Sequence, residues 1–118
     1  MIVHTTAARP IFIFDYLCNP DVFDDGDDPQ LQCVDDLLDT LMTSGSTDDG
    51  KLYIKNDCDG LPVYGYRWMD ADQAKATECL KQAKDVIKDT CYHRKGARVS
   101  NSATCQMRFE LSPFQPGV

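Results

Sequence analysis

Apolar and polar positions divide the chain into six segments whose period alternates between that of a strand and that of a helix. Residues 9–17, RPIFIFDYL, read as a buried strand: aromatic and β-branched, opened by Pro10 and ended by Asn19-Pro20. An acidic loop follows. In DPQLQCVDDLLDTLMTSG, Leu31, Val34, Leu37, Leu38, Leu41 and Met42 recur at three- and four-residue steps, with Asp35, Asp36 and Asp39 on the other face. That pattern predicts an amphipathic helix ending at Gly45. KLYIKND alternates Leu52 and Ile54 against Tyr53 and Lys55, Asp59-Gly60 predicts a hairpin turn, and LPVYGYRWM is the returning strand. Pro62 suggests an edge position or the start of that strand.

Asp70, with Gln73 at the capping-box position, predicts the start of a second helix. Its stripe is Ala76, Cys79, Leu80, Ala83, Val86 and Ile87, and Lys75, Lys81, Lys84 and Lys88 fall outside it. HRKGARVSNSA reads as a basic, polar loop. TCQMRFEL alternates Cys105, Met107, Phe109 and Leu111 against Gln106, Arg108 and Glu110, a half-buried strand. SPFQPGV reads as a frayed tail. The expectation is an α+β two-layer sandwich: a four-stranded antiparallel sheet with two helices on one face, βαββαβ, ferredoxin-like. The 118 residues fit one domain, 1–118, with an ordered core of about 10–111, and neither a repeat nor a linker interrupts it.

Six cysteines change the picture. Cys18, Cys33, Cys58, Cys79, Cys91 and Cys105 are spaced 15, 25, 21, 12 and 14 residues apart, with no CxxC and no Cys–His pair at zinc-ligand spacing. Three disulfides in a secreted protein are expected, and fifteen connectivities are open. The expected topology puts all but Cys79 at one end of the sandwich, with Cys79 on the inner face of the second helix. MIVHTTAARP lacks the apolar core of a signal peptide, so a mature form is expected, with Met1 added or native left open. No apolar run approaches the roughly 20 residues of a membrane span. Residues 1–50 carry a net charge of −10 and residues 51–118 a net of +3, together the −7 of the chain. An acidic chain is a poor nucleic-acid binder, so no nucleic-acid partner is expected.

Candidate chemistry is sparse. DVFDDGDDPQLQC, residues 21–33, resembles an EF-hand loop only through Gly26, because Phe23 and Gln32 stand where oxygen ligands belong. Asp28 as the cap, Pro29 at the first helical position, and Asp25 and Asp27 beside the positive helix end explain the stretch better. No metal or cofactor is expected. His4 and His93 lie in no nucleophile or metal motif, and no serine has a GxSxG context, so catalytic residues are not assigned. The clustered basic patch is Tyr92, His93, Arg94, Lys95 and Arg98. It can contact an acidic surface, or simply complement a helix C-terminus that Gly96 stops. Tyr64, Tyr66 and Trp68 share one face of their strand, opposite Val63, Gly65 and Arg67. Arg67 is an awkward core residue, so the aromatic face is expected to point inward. Tyr64 is kept as a contact candidate for the reverse case.

The element order, the length, IFIFDYLC, the stripes around Cys33 and Cys79, and TCQMRF resemble, over residues 10–111, small secreted effectors of plant-pathogenic fungi. The chain is similar in particular to the ferredoxin-like group typified by a virally encoded killer toxin of a smut fungus, and to avirulence and xylem-secreted effectors. The long cysteine intervals do not fit insect odorant-binding proteins. The resemblance implies a non-enzymatic secreted protein that acts by binding another protein, either a host target or a paired effector. Its alternative is a killer-type toxin acting on competing cells or membranes, and a secreted enzyme is the third reading. The candidate contact residues are Tyr92, His93, Arg94, Lys95, Arg98 and Tyr64, and an open sheet edge makes a homodimer possible.

Overall fold

The computed structural model describes residues 11–24, 26–45 and 47–114. Seven elements follow one another: β1 (Asp15–Cys18), α1 (Asp28–Thr43), β2 (Lys51–Cys58), β3 (Leu61–Met69), α2 (Gln73–Thr90), β4 (Gly96–Asn101) and β5 (Cys105–Glu110). The sheet has five antiparallel strands in the order β1-β4-β5-β3-β2. Both helices pack on one face, α1 over β2 and β3, α2 over β3, β4 and β5. The fold class and the layers agree with the sequence, but the strand count does not.

The additional strand is β4, which the sequence presents as a polar loop. Only Ala97 and Val99 are apolar in GARVSN, and both are buried toward the helices. Arg98 and Ser100 alternate to the other face. β4 lies between β1 and β5, so neighbours satisfy both of its edges and two small inward side chains suffice. Its presence also changes the topology. The first and third strands would pair in a ferredoxin-like sheet, whereas here β4 and β5 separate them and β1 becomes an edge.

The first strand is shorter and more exposed than its composition predicts. Pairing covers only Asp15–Cys18, and Asp15, Tyr16 and Leu17 are exposed. Phe12 and Phe14 rest against the core, while Ile11 and Ile13 point to solvent. An edge strand has one neighbour, and α2 packs chiefly over β3, β4 and β5. The expected start at residues 9 and 10 lies outside the described residues.

The helix caps also shift. Asp27, not Asp28, is the N-cap of α1, without a side-chain capping bond; its Oδ2 accepts the Asp24 N–H (2.8 Å) instead. Asp72, not Asp70, caps α2 by accepting the Lys75 N–H (3.2 Å). The Asp70 N–H is engaged by the Thr104 carbonyl (2.9 Å). α1 ends at Thr43, two residues before Gly45. The β2–β3 turn is as expected, with Asp59 and Gly60 at φ 55° and 82°, the left-handed values of a two-residue hairpin loop. Pro62 stands before the stretch of β3 that pairs with β5, at the start of the strand. Lys84, expected on the solvent side of α2, turns between the helices to pair with Asp39 and with Asp35 (3.5 Å).

The expectation for β3 is reversed. Val63, Gly65, Arg67 and Met69 face the helices, and Tyr64, Tyr66 and Trp68 face outward. The fully buried Arg67 guanidinium finds its partners at the end of α1: Nη1 donates to Ser44 O (2.7 Å) and Nη2 to Gly45 O (2.5 Å). The last turn of α1 has no basic residue of its own, so Arg67 supplies the cation its negative end attracts. Gly65 lets α1 lie close, since a Cβ there would stand 2.6 Å from Leu37 Cδ2.

The disulfides are Cys18–Cys91, Cys33–Cys58 and Cys79–Cys105. The first two staple one end of the sandwich. Cys105 is at the opposite end, because β4 runs away from Cys91 and β5 therefore starts beside Met69 at the far end of β3. Phe114, in the expected frayed tail, lies on the outer sheet face, its ring 5.4 Å from that of Tyr53 and 4.0 Å from the Arg108 guanidinium.

Two measurements check this fold. Proteolytic mapping without reduction is expected to yield these three linked pairs and no alkylatable thiol. Gly65→Ala is expected to lower stability by about 1–3 kcal/mol in a denaturant titration, because the buried Leu37 and Leu41 must move.

Candidate partner-binding site

The candidate contact residues are positioned by the way α2 ends. After Thr90, Cys91 is tied to Cys18, and His93 turns the chain with φ 56°. Backbone bonds then pin the turn to the acidic segment before α1. The Phe23 N–H donates to His93 O (2.8 Å), the Lys95 N–H to Asp21 O (2.9 Å), and Arg94 Nη1 to Asn19 O (3.1 Å). Phe23 is buried beneath this junction, with the Lys95 ammonium 5.8 Å from its ring centroid. The start of the aspartate-rich stretch thus serves as a strap for the basic turn, through backbone groups of Asn19, Asp21 and Phe23.

Between this turn and α1 lies a groove of about 410 Å³. Leu31, Val34, Leu38, Ile87 and Phe109 give it an apolar floor. Asp28, Gln32 and Asp35 of α1 form one rim, and Lys88, Tyr92, His93 and Arg94 the other. Lys88 reaches across to Asp35 (3.4 Å). Tyr92 is 64% exposed, and its ring stacks on His93 with centroids 3.6 Å apart and planes 18° from parallel. The arrangement presents a braced aromatic beside an apolar trough with charge of both signs, suited to gripping a side chain or a short segment. The six cysteines are all paired, so no thiol nucleophile remains.

The structure divides the candidate residues between two surfaces. Tyr92, His93 and Arg94 line the groove, and Lys95 stands behind them on Phe23. Arg98 and Tyr64 belong to the outer sheet face, where Leu17, Arg98, Arg108, Tyr66 and Tyr53 stand in cross-strand register. Burial, with the nearby Asp49 charge adding to it, raises the Tyr66 phenol above its ordinary pKa. Tyr53, Trp68 and Arg108 on this face, and the whole α1 side of the groove, were not selected by sequence. The strand period contained the signal for the first three, and the groove residues of α1 are indistinguishable from ordinary helix positions. Asp35, Asp36 and Asp39 cluster closely enough to hold a cation, but Lys84 and Lys88 already pair with two of them. His4 lies outside the described residues.

No protein-family model and no curated relative matches the sequence. In fold, the chain is similar to the tandem DUF26 ectodomain of the Arabidopsis thaliana cysteine-rich receptor-like protein PDLP8, with a TM-score of 0.72 and 25% identity over 88% of this chain and 50% of that one. It is also similar to the corresponding ectodomain of PDLP5 from the same plant, with a TM-score of 0.73 and 16% identity over 88% of this chain and 52% of that one. The chain therefore spans about half the length of each. Three disulfides and these ectodomain likenesses mark a domain of extracellular type, and among the described residues no helix is long and apolar enough to cross a membrane.

Phe23 holds the turn and Tyr92 is carried by it, so their substitutions should separate. Phe23→Ala is expected to cost about 3–5 kcal/mol of stability. Tyr92→Ala is expected to stay within about 0.5 kcal/mol of wild type. Urea titrations of the oxidised protein measure both.

Proposed function

We propose that this chain is a non-enzymatic secreted domain that acts by binding another protein, and that the groove beside Tyr92, His93 and Arg94 is its contact site. The observation that carries this reading is the exposed Tyr92 ring, braced on His93 at the mouth of an apolar trough. A large aromatic held rigid before binding loses little conformational entropy on contact, and such residues dominate protein interfaces. The likeness to ectodomains supports the extracellular setting and is compatible with a role without catalysis. In its finer form the proposal keeps a fungal effector acting on a host-plant protein, alone or with a second effector. Its support is the resemblance in size, element order and cysteine content.

The test presents the oxidised protein to plant apoplastic fluid and measures the affinity of what it retains. The reading expects a retained protein whose affinity falls by about 30-fold or more with Tyr92→Ala or Arg94→Glu and is unchanged by Tyr53→Ala on the opposite face. Binding indifferent to both groove variants would remove the groove from the proposal. Leakage of dye from lipid vesicles, or arrest of fungal growth, would replace it with the toxin reading.

A further inference from the structure

Exposed apolar side chains are concentrated at one margin of the molecule. Among the described residues seven large hydrophobics are exposed, and five of them, Ile11, Ile13, Tyr16, Leu17 and Val22, fall between residues 11 and 22. Four of these, Ile11, Ile13, Tyr16 and Leu17, lie in or just before β1, which among the described residues pairs only with β4. The sheet's two edges differ. β2 shows Lys51, Lys55 and Asp57 to solvent, the charged protection an edge strand ordinarily carries. Residues 11–18 contain a single charge, Asp15.

The exposure is imposed by register and not by slack. Asn101 Nδ2 donates to Ile13 O (3.0 Å), the Phe12 N–H donates to Gln82 Oε1 (3.2 Å), and Phe12 and Phe14 pack against the core. Ile11 and Ile13 therefore have to point away from it. The Asn19 N–H donates to Gly96 O (2.9 Å), so alternation along the ladder turns the backbone groups of Leu17 and Asp15 toward β4. The N–H and C=O of Tyr16 are left directed off the edge.

We propose that this edge pairs with the same edge of a second copy of the chain, antiparallel across a two-fold axis, joining two five-stranded sheets into one. The edge is complementary to itself. With Tyr16 opposite its own symmetry mate, each Tyr16 exchanges both backbone hydrogen bonds, and Asp15 faces the partner's Leu17, so the lone charges do not oppose each other. Ile13 and Leu17 lie on the same side of the joined sheet and leave water together. A second copy, and not an unrelated strand, is favoured because self-pairing meets each Tyr16 N–H with a Tyr16 C=O and sets the one charge of the segment, Asp15, opposite an uncharged residue. None of these edge residues lines the groove, so the inference is independent of the proposed contact site.

Sedimentation and light scattering of the full oxidised chain, from micromolar to millimolar concentration, test it. The expected result is a species of twice the chain mass whose share grows with concentration. Each copy carries −7, so repulsion opposes assembly, and the dimer should tighten as salt rises. Tyr16→Pro removes the N–H aimed off the edge without touching the ladder to β4 and should give a single-chain mass with an unchanged circular dichroism spectrum. Ile13→Lys combined with Leu17→Lys, at exposed positions, should do the same and decides the matter if the proline variant does not fold. A single-chain mass throughout for wild type, a dimer that dissolves in salt, or a dimer that survives the folded variants would overturn the inference.

Discussion

The hydrogen bonds from Arg67 to the carbonyls of Ser44 and Gly45 govern the arrangement of the helix layer. A buried cation without a carboxylate partner is costly unless its donors are satisfied. The end of α1 offers both carbonyl acceptors and the negative end of a helix dipole. Accepting Arg67 decides which face of β3 turns inward. It brings Gly65 under Leu37, allowing the close approach of α1, and sends Tyr64, Tyr66 and Trp68 to the sheet face away from the helices, where Tyr66 is still buried. Desolvation lowers the pKa of the guanidinium, and its Nε is left without a partner, which is the residual cost of the arrangement.

The disulfides act on what that interaction leaves loose. Cys33–Cys58 ties the start of α1 to the end of β2, and Cys18–Cys91 ties the short edge strand to the end of α2. The second of these spans 73 residues and anchors the two segments that meet at the basic turn. The surface that carries Tyr92 and His93 therefore rests on a covalent link, a stacked ring pair and three hydrogen bonds to residues 19–23. Cys79–Cys105 fastens the opposite end, where β5 begins. An extracellular domain with a modest core gains most from cross-links placed in this way.

Two surfaces of different character result. The groove between the helices is an apolar trough with mixed charge on its rims, formed where the acidic half of the chain meets the basic turn. The β1 margin is apolar, nearly uncharged and, among the described residues, has a strand on one side only. The first is suited to a partner with side chains to insert, and the second to a strand. They lie on different parts of the fold, so a chain paired through its edge keeps its groove available.

Much of this was determined locally. The stripes of α1 and α2, the Asp59-Gly60 turn and the alternation of β2 and β5 follow from periods, because each depends on neighbours in sequence; the even cysteine count indicated that all six pair, but not with which partners. The basic turn was legible as a cluster, and most of it does lie together. What the tertiary structure alone decided concerns partners distant in the chain. β4 has too few apolar residues to announce itself and is a strand only because β1 and β5 flank it. Arg67 reads as an outward residue until the end of α1 is placed above it. The position of Cys105 depends on the direction in which β4 runs. The α1 rim of the groove is a row of ordinary helix residues that becomes a site only when Cys18–Cys91 and the strap at Phe23 bring Tyr92 opposite it. Periodicity reports which side of an element is apolar, but it carries no information about which other element arrives there.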